Sequence, residues 1–217
     1  MSTPPDRSQP KRLGDPRELK ALAHPLRMRL IVELVTRGSA RAVDLAKTVG
    51  EPANSVSFHL RQLARYGLIV EDTSHAADGR ERWWQVVSDA GFRTDMSELR
   101  KLPGGAQAVG SLENLTQEIA HAAMAVAFSD TDEPNGPKSW FNDFGLHLSR
   151  TEVEEFQDDA WDLTSRWMER SRQLAASGDG VERHTYVGFS FGAPVNDVLR
   201  AEESAEGTTP GQASREK

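Results

Sequence analysis

The 217-residue sequence predicts a mainly helical protein of the α+β class, and three observations carry that prediction. Apolar side chains recur every three or four residues through 26–37, 53–66, 111–128 and 149–176, the period of an amphipathic helix. Two pairs of short stretches instead alternate or cluster β-forming residues, 68–73 with 81–88 and 144–148 with 187–191. Glycine or proline punctuates the joins, at Pro25, Gly38, Gly50, Pro52 and Gly67. The expected architecture is a helix-rich module closed by a β-hairpin over residues 15–92, a connector and long helix over 93–130, and a small C-terminal β-α-β unit over 131–195. Disordered segments are expected at 1–14 and 196–217.

Composition bounds what such a chain can do. Its length suffices for two small cores. Cysteine is absent, which excludes disulfides, thiolate zinc sites and cysteine redox chemistry. The stretch MSTPPDRSQPKRLGDP lacks the apolar run of a signal peptide, and no later stretch approaches the roughly 20 apolar residues of a membrane span, so a cytoplasmic protein without membrane contact is expected. The net charge of −7 hides an asymmetry. Residues 1–100 carry 16 Lys and Arg against 13 Asp and Glu, hence +3, while 101–217 carry 10 against 20, hence −10. A mildly basic front half beside an acidic back half fits a nucleic-acid-binding module joined to a regulatory or dimerising one.

Residues 1–14, rich in Pro and Ser and without periodicity, read as an arm whose Arg7, Lys11 and Arg12 are solvated. Asp15 followed by PRELKALA is a helix start, because Asp accepts from the free N–H groups of a first turn and Pro fits there. After the break at His24-Pro25, a helix over 26–37 stacks Leu26, Leu30, Ile31 and Leu34 on one stripe and stops at Gly38. Ser39 then opens a third helix, SARAVDLAKTVG, with Val43, Leu45, Ala46 and Val49 inward and Gly50 as its stop. The turn Gly50-Glu51-Pro52 leads into a helix over 53–66, with Pro52 in its first helical position. Helix, tight turn and helix form a helix-turn-helix, and LIVEDT and ERWWQVVS around the polar SHAADGR supply a hairpin wing.

On residues 53–66, Val56, Leu60 and Leu63 fall in one narrow arc at about 100° per residue. Asn54, Phe58, Arg61, Gln62 and Arg65 gather opposite, with Ser55 and Ser57 on the shoulders. An amide, hydroxyls and guanidiniums suit base edges and phosphates. An ordinary amphipathic surface helix would give the same wheel; the flanking helix, turn and hairpin favour a recognition helix in the major groove. In that reading Asn54, Ser55, Ser57, Phe58, Arg61 and Gln62 meet bases, with Phe58 against a thymine methyl. Arg65 and the wing residues Arg80 and Arg82 meet phosphate or the minor groove. His59, beside the apolar arc, is mainly structural, and Trp83 and Trp84 pack the wing rather than stacking on bases.

These residues carry a resemblance. Leu22-Ala23-His24-Pro25-Leu26-Arg27-Met28-Arg29-Leu30-Ile31, then Asp44-Leu45-Ala46, then Ser55-Val56-Ser57-Phe58-His59-Leu60 with Leu63 and Gly67-Leu68-Ile69, resemble the ArsR-type family of bacterial transcriptional regulators over about residues 15–90. The resemblance implies a dimeric winged-helix protein that binds a palindromic operator, usually as a repressor released by a ligand. Two departures stand out. Where the family often has two adjacent histidines, this chain has Phe58-His59, and a turn position usually apolar in the family is Glu51. Metal-sensing members use cysteine pairs, so thiolate metal sensing is excluded here.

Beyond the wing, residues 91–110 with Pro103-Gly104-Gly105 read as a connector. A helix from Ser111 to about Phe128 places Leu112, Leu115, Ile119, Ala122 and Val126 on a seam suited to helix pairing, which would set two recognition helices about 34 Å apart. Glu118 and His121 share a face, but a metal site needs further ligands that the sequence does not supply, so no metal and no cofactor is expected. Phe144, Leu146 and Leu148 alternate like a strand, Ser149 with Glu152 forms a capping box, and a helix to about Ala176 carries Phe156, Ala160, Leu163, Trp167 and Leu174 on its stripe. Val187, Phe189 and Phe191 make the second strand of the β-α-β unit. Its aromatics are either core or the lining of an apolar effector pocket.

The functional expectation is a sequence-specific transcriptional regulator, a homodimeric repressor on double-stranded DNA, with an unidentified small-molecule or protein effector at the C-terminal half. The alternative is a winged-helix interaction module whose acidic C-terminal half docks a protein partner. No nucleophile elbow, P-loop, dinucleotide fingerprint or zincin motif is present, so an enzyme is not expected.

Overall fold

The computed structural model describes residues 7, 9–74, 82–129, 137–198 and 200. Asp15 opens α1 (Pro16–Leu22) through a full capping box: its carboxylate accepts from the Arg17 N–H at 2.8 Å and the Glu18 carboxylate accepts from its own N–H at 3.2 Å. α2 (Pro25–Arg37) has an unusual cap, the His24 imidazole, whose Nδ1 accepts from the Leu26 N–H at 3.2 Å. Leu26, Leu30, Ile31 and Leu34 of α2 are buried as their spacing requires.

Ser39 does not open a helix. Ser39–Arg41 form strand β2, and α3 begins at Ala42 and runs to Val49. A Ser ahead of an apolar period satisfies the rule for a helix cap, but Ala40 gains a buried place opposite Trp84 when the segment is extended. Val43, expected inward, is 38% exposed in the first turn of α3. Gly50, left-handed at φ 69°, ends α3, and the Glu51 N–H donates to the Ala46 carbonyl at 3.1 Å to close the turn. α4 covers Ala53–Arg65, so Pro52 is its cap with extended ψ rather than its first helical residue.

The wing is an antiparallel pair, β3 (Ile69–Glu71) with β4 (Trp83–Val86), in the register Ile69↔Val86. β2 joins the other edge of β4, giving the order β2-β4-β3. Leu19, Leu30, Leu34, Leu45, Val56, Leu60, Leu63, Leu68, Trp84 and Val86 make one continuous core beneath this sheet and α1–α4.

The expected disordered arm needs correction. Lys11–Arg12 form β1, parallel to β5 (Phe92–Arg93), and Leu13 enters the core at 3% exposure. The Lys11 and Leu13 N–H groups donate to Gly91 and Arg93 carbonyls at 2.9 and 2.8 Å. A strand that pairs with a segment some 80 residues away leaves no local period, which is why composition alone read it as an arm. Residues 1–6 and 8 lie outside the described residues.

The connector also holds structure: α5 (Met96–Lys101), capped by Asp95, precedes α6, which starts at Gly105 rather than Ser111 and runs to Ala127. α6 packs its first half on α1 and α5 through Ala108, Val109 and Leu115. Beyond Leu115, Met124, Val126 and Phe128 are exposed.

In the C-terminal half, α7 (Arg150–Ala176) begins with the expected Ser149–Glu152 capping box and lies against α2. The two strands of the β-α-β unit are absent among the described residues: 139–149 and 184–194 join no sheet, and the Trp140 and Tyr186 rings meet at 5.7 Å without a strand ladder. Alternation marks a strand with one face to bury, but among the described residues no sheet edge meets Phe144, Leu146 and Leu148, all of which are exposed. No residue of α7 is fully buried: of the stripe read as core or pocket lining, Phe156, Leu163 and Trp167 are exposed, Trp167 at 59%, while Ala160 and Leu174 are half-buried. Packing divides the chain into Met1–Val187 and Gly188–Lys217. In the second unit residues 195–198 make a helical turn where a disordered tail was expected, and 201–217 lie outside the described residues. No helix among the described residues is long and apolar enough to cross a membrane.

Candidate nucleic-acid interface

α4 is built to present one face. Val56, Leu60 and Leu63 are fully buried and anchor it to the core. Asn54, Phe58, Arg61 and Arg65 are exposed on the other side, while Ser55, Ser57 and Gln62 are half-buried on its flanks. The seven α4 residues singled out from the sequence therefore lie on or beside one outward face. Arg61 has neither an ion pair nor a hydrogen bond to any described residue, and Arg65 lies 5.9 Å from the centroid of the Tyr66 ring. Asn54 turns its side-chain oxygen to the Ser55 N–H at 2.9 Å, which leaves its amide N–H groups available.

Arg82 is exposed but sits 3.8 Å from the Glu71 carboxylate across the hairpin. Arg80 lies outside the described residues. Trp84 packs the core, and Trp83 is half-buried beneath the Arg41 guanidinium at 5.7 Å, consistent with wing packing. Among the described residues no group of three His, Asp or Glu side chains could hold a metal ion.

Behind the outward face lies a polar cluster that sequence reasoning did not assemble. The His24 and His59 rings stack, and Phe58 meets His59 edge-on with centroids 5.2 Å apart and planes at 82°. Burial holds both imidazoles below the ordinary histidine value, with the Arg27 cation as the second cause. Arg27 is itself pushed down by burial and donates to the Lys20 carbonyl at 3.2 Å. Nδ1 of His59 and Nε of Arg27 are buried without a hydrogen-bond partner among the described residues. Lys11, assigned to a solvated arm, reaches the Gly67 carbonyl at 2.9 Å, tying the β1 strap to the α4–wing junction. Separations of 35 and 56 residues hid these contacts from any local pattern.

Helix, left-handed glycine turn, amphipathic helix and wing are thus assembled behind one outward, largely polar face. Residues 22–72 match the family model of a helix-turn-helix domain. The match runs from the end of α1 to the first wing strand and contains the turn and all of α4. A search of curated proteins finds no match. The helix-turn-helix domain gives the chain the character of a DNA-binding transcription regulator. Within that domain α3 and the Gly50 turn set the angle at which α4 leaves the core.

Proposed function

We propose that the protein is a sequence-specific transcriptional regulator, an ArsR-type repressor that binds a palindromic operator as a homodimer. The observation that carries this reading is the outward face of α4, where Arg61, exposed between Phe58 and Arg65, has no ion pair or hydrogen bond among the described residues, while the opposite face is locked into the core. In the major groove Asn54, Ser55, Ser57, Phe58, Arg61 and Gln62 would read bases, and Arg65, Arg80 and Arg82 would hold the backbone. Half of α6 and the stripe of α7 expose apolar residues that a second copy would cover, which supports the dimer. An effector, small molecule or protein, would act on the C-terminal half.

Selection of binding sites from random duplex DNA, followed by gel-shift titration, tests the proposal. Affinity falls steeply with salt, because phosphate contacts release counterions. Arg61→Ala weakens the selected site by roughly 1–3 kcal/mol, about 5- to 150-fold, and relaxes base choice where Arg61 reads guanine. An unchanged Arg61→Ala titration removes Arg61 from the interface.

A second reading, a winged-helix module docking a protein through its acidic C-terminal half, draws on exposed Phe156, Leu163 and Trp167 among the carboxylates of α7. Salt-sensitive, sequence-selective DNA binding excludes it as the main role.

A further inference from the structure

We infer that Phe58 is a base-specificity residue that selects the C5-methyl group of a thymine. The inference rests on the proposal that α4 enters the major groove. Phe58 is 50% exposed, an apolar ring on a face otherwise made of Asn54, Arg61 and Arg65. Its ring has a neighbour on one side. It stands edge-on against His59 at 5.2 Å, His59 stacks on His24 at 4.5 Å, and His24 is fixed as the cap of α2. Three rings in series thus run from the outward face into the fold, so little side-chain entropy remains to be lost on contact.

The chemistry of the groove then narrows the target. Guanine, adenine and cytosine present hydrogen-bonding groups at their major-groove edges, and a phenyl ring over them would strip water without replacing it. Thymine alone presents a methyl group there. Burying that methyl is favourable, and the same ring penalises the polar edges of the other bases. Phe58 lies four residues from Asn54 and three from Arg61 on α4, about 6 and 4.5 Å along the helix axis. The thymine is therefore within one or two base pairs of those met by Asn54 and Arg61. His59 is a positioning residue for this contact.

The test uses the full chain and its selected duplex. Each thymine is replaced singly by deoxyuridine, which removes only the methyl group, and the Kd is measured for the native protein, Phe58→Ala and Phe58→Leu. At one thymine per half-site, uridine weakens the native protein about three- to tenfold. Phe58→Leu keeps a discrimination in the same direction and Phe58→Ala shows none. His59→Gln reduces the uridine effect while leaving the Arg61 contribution to affinity intact. A selected site at which no uridine changes native binding, or at which Phe58→Ala retains the full effect, overturns the inference and leaves the DNA-reading proposal standing. If no sequence is selected, both fall. Thermal melts establish that the variants are folded, as expected for an exposed side chain.

Discussion

The imidazoles of His24 and His59 stack with their centroids 4.5 Å apart and their planes inclined by 45°, joining the cap of α2 to the middle of α4. Both rings are held below the ordinary histidine value. Burial is the first cause for each; the Arg27 cation adds to it, and His59 adds for His24, while Glu51 pulls His59 the other way.

The sign of the resulting pH dependence follows. Each histidine titrates near 6.5 in the unfolded chain and lower in the folded one, so on acidification the unfolded chain takes up protons first. The stabilisation is complete above pH 6.5 and is lost as pH falls below it toward the folded values. Protonation of His24 at Nδ1 would also remove the acceptor that caps α2. Urea denaturation at pH 7.5 and at 5.5 should show lower stability in acid. The double variant His24→Asn, His59→Gln should show a smaller difference; equal slopes for both proteins would refute the assignment.

Arg172 ties α7 to the winged helix. Its guanidinium donates to the carbonyls of Val35 and Asp89 at 3.3 and 3.2 Å, and to the Glu169 carboxylate at 2.7 Å. Val35 lies in the last turn of α2, whose carbonyls lack helical partners, so the cation meets a real need there. Arg172→Ala should destabilise the docking of α7 by about 1–3 kcal/mol. Hydrogen exchange would read this as faster amide exchange along α7 with α3 and α4 unchanged. Unaltered exchange in α7 would mean that Arg93, which pairs with Asp158 and lies over Trp161, holds the helix without it.

Two glycines should respond differently to the same methyl group. At Gly50 the backbone is left-handed but a Cβ would meet nothing, so Gly50→Ala costs about 1–2 kcal/mol of conformational strain. At Gly105 a Cβ would fall 1.7 Å from the Leu99 carbonyl oxygen, so Gly105→Ala must separate α5 from α6. Thermal melts should rank Gly105→Ala below Gly50→Ala, and the reverse order would show that the α5–α6 junction yields easily.

The readable parts of this protein are those whose signals are local. Leu26, Leu30 and Leu34 lie within one helix, as do Val56, Leu60 and Leu63, and a period of three to four residues needs no knowledge of the partner. The helix caps at Asp15 and Ser149 are local too, each joined to a carboxylate three residues on. The outward face of α4 followed from the same period, because whatever the core does not take must face away from it.

Tertiary structure decided whatever depended on a distant partner. Ser39–Arg41 became a strand because Trp83, Trp84 and Gln85 offered an edge, and Lys11–Leu13 became ordered because Phe92 and Arg93 did. The converse holds in the C-terminal half, where Phe144, Leu146 and Leu148 alternate correctly but meet no edge among the described residues. Backbone hydrogen bonds in a sheet join segments far apart in sequence, whereas those in a helix close within four residues. The amino-acid order therefore determined the helices and the face that α4 presents, Phe58 included; the fold alone brought His24 against His59, whose ring meets that of Phe58.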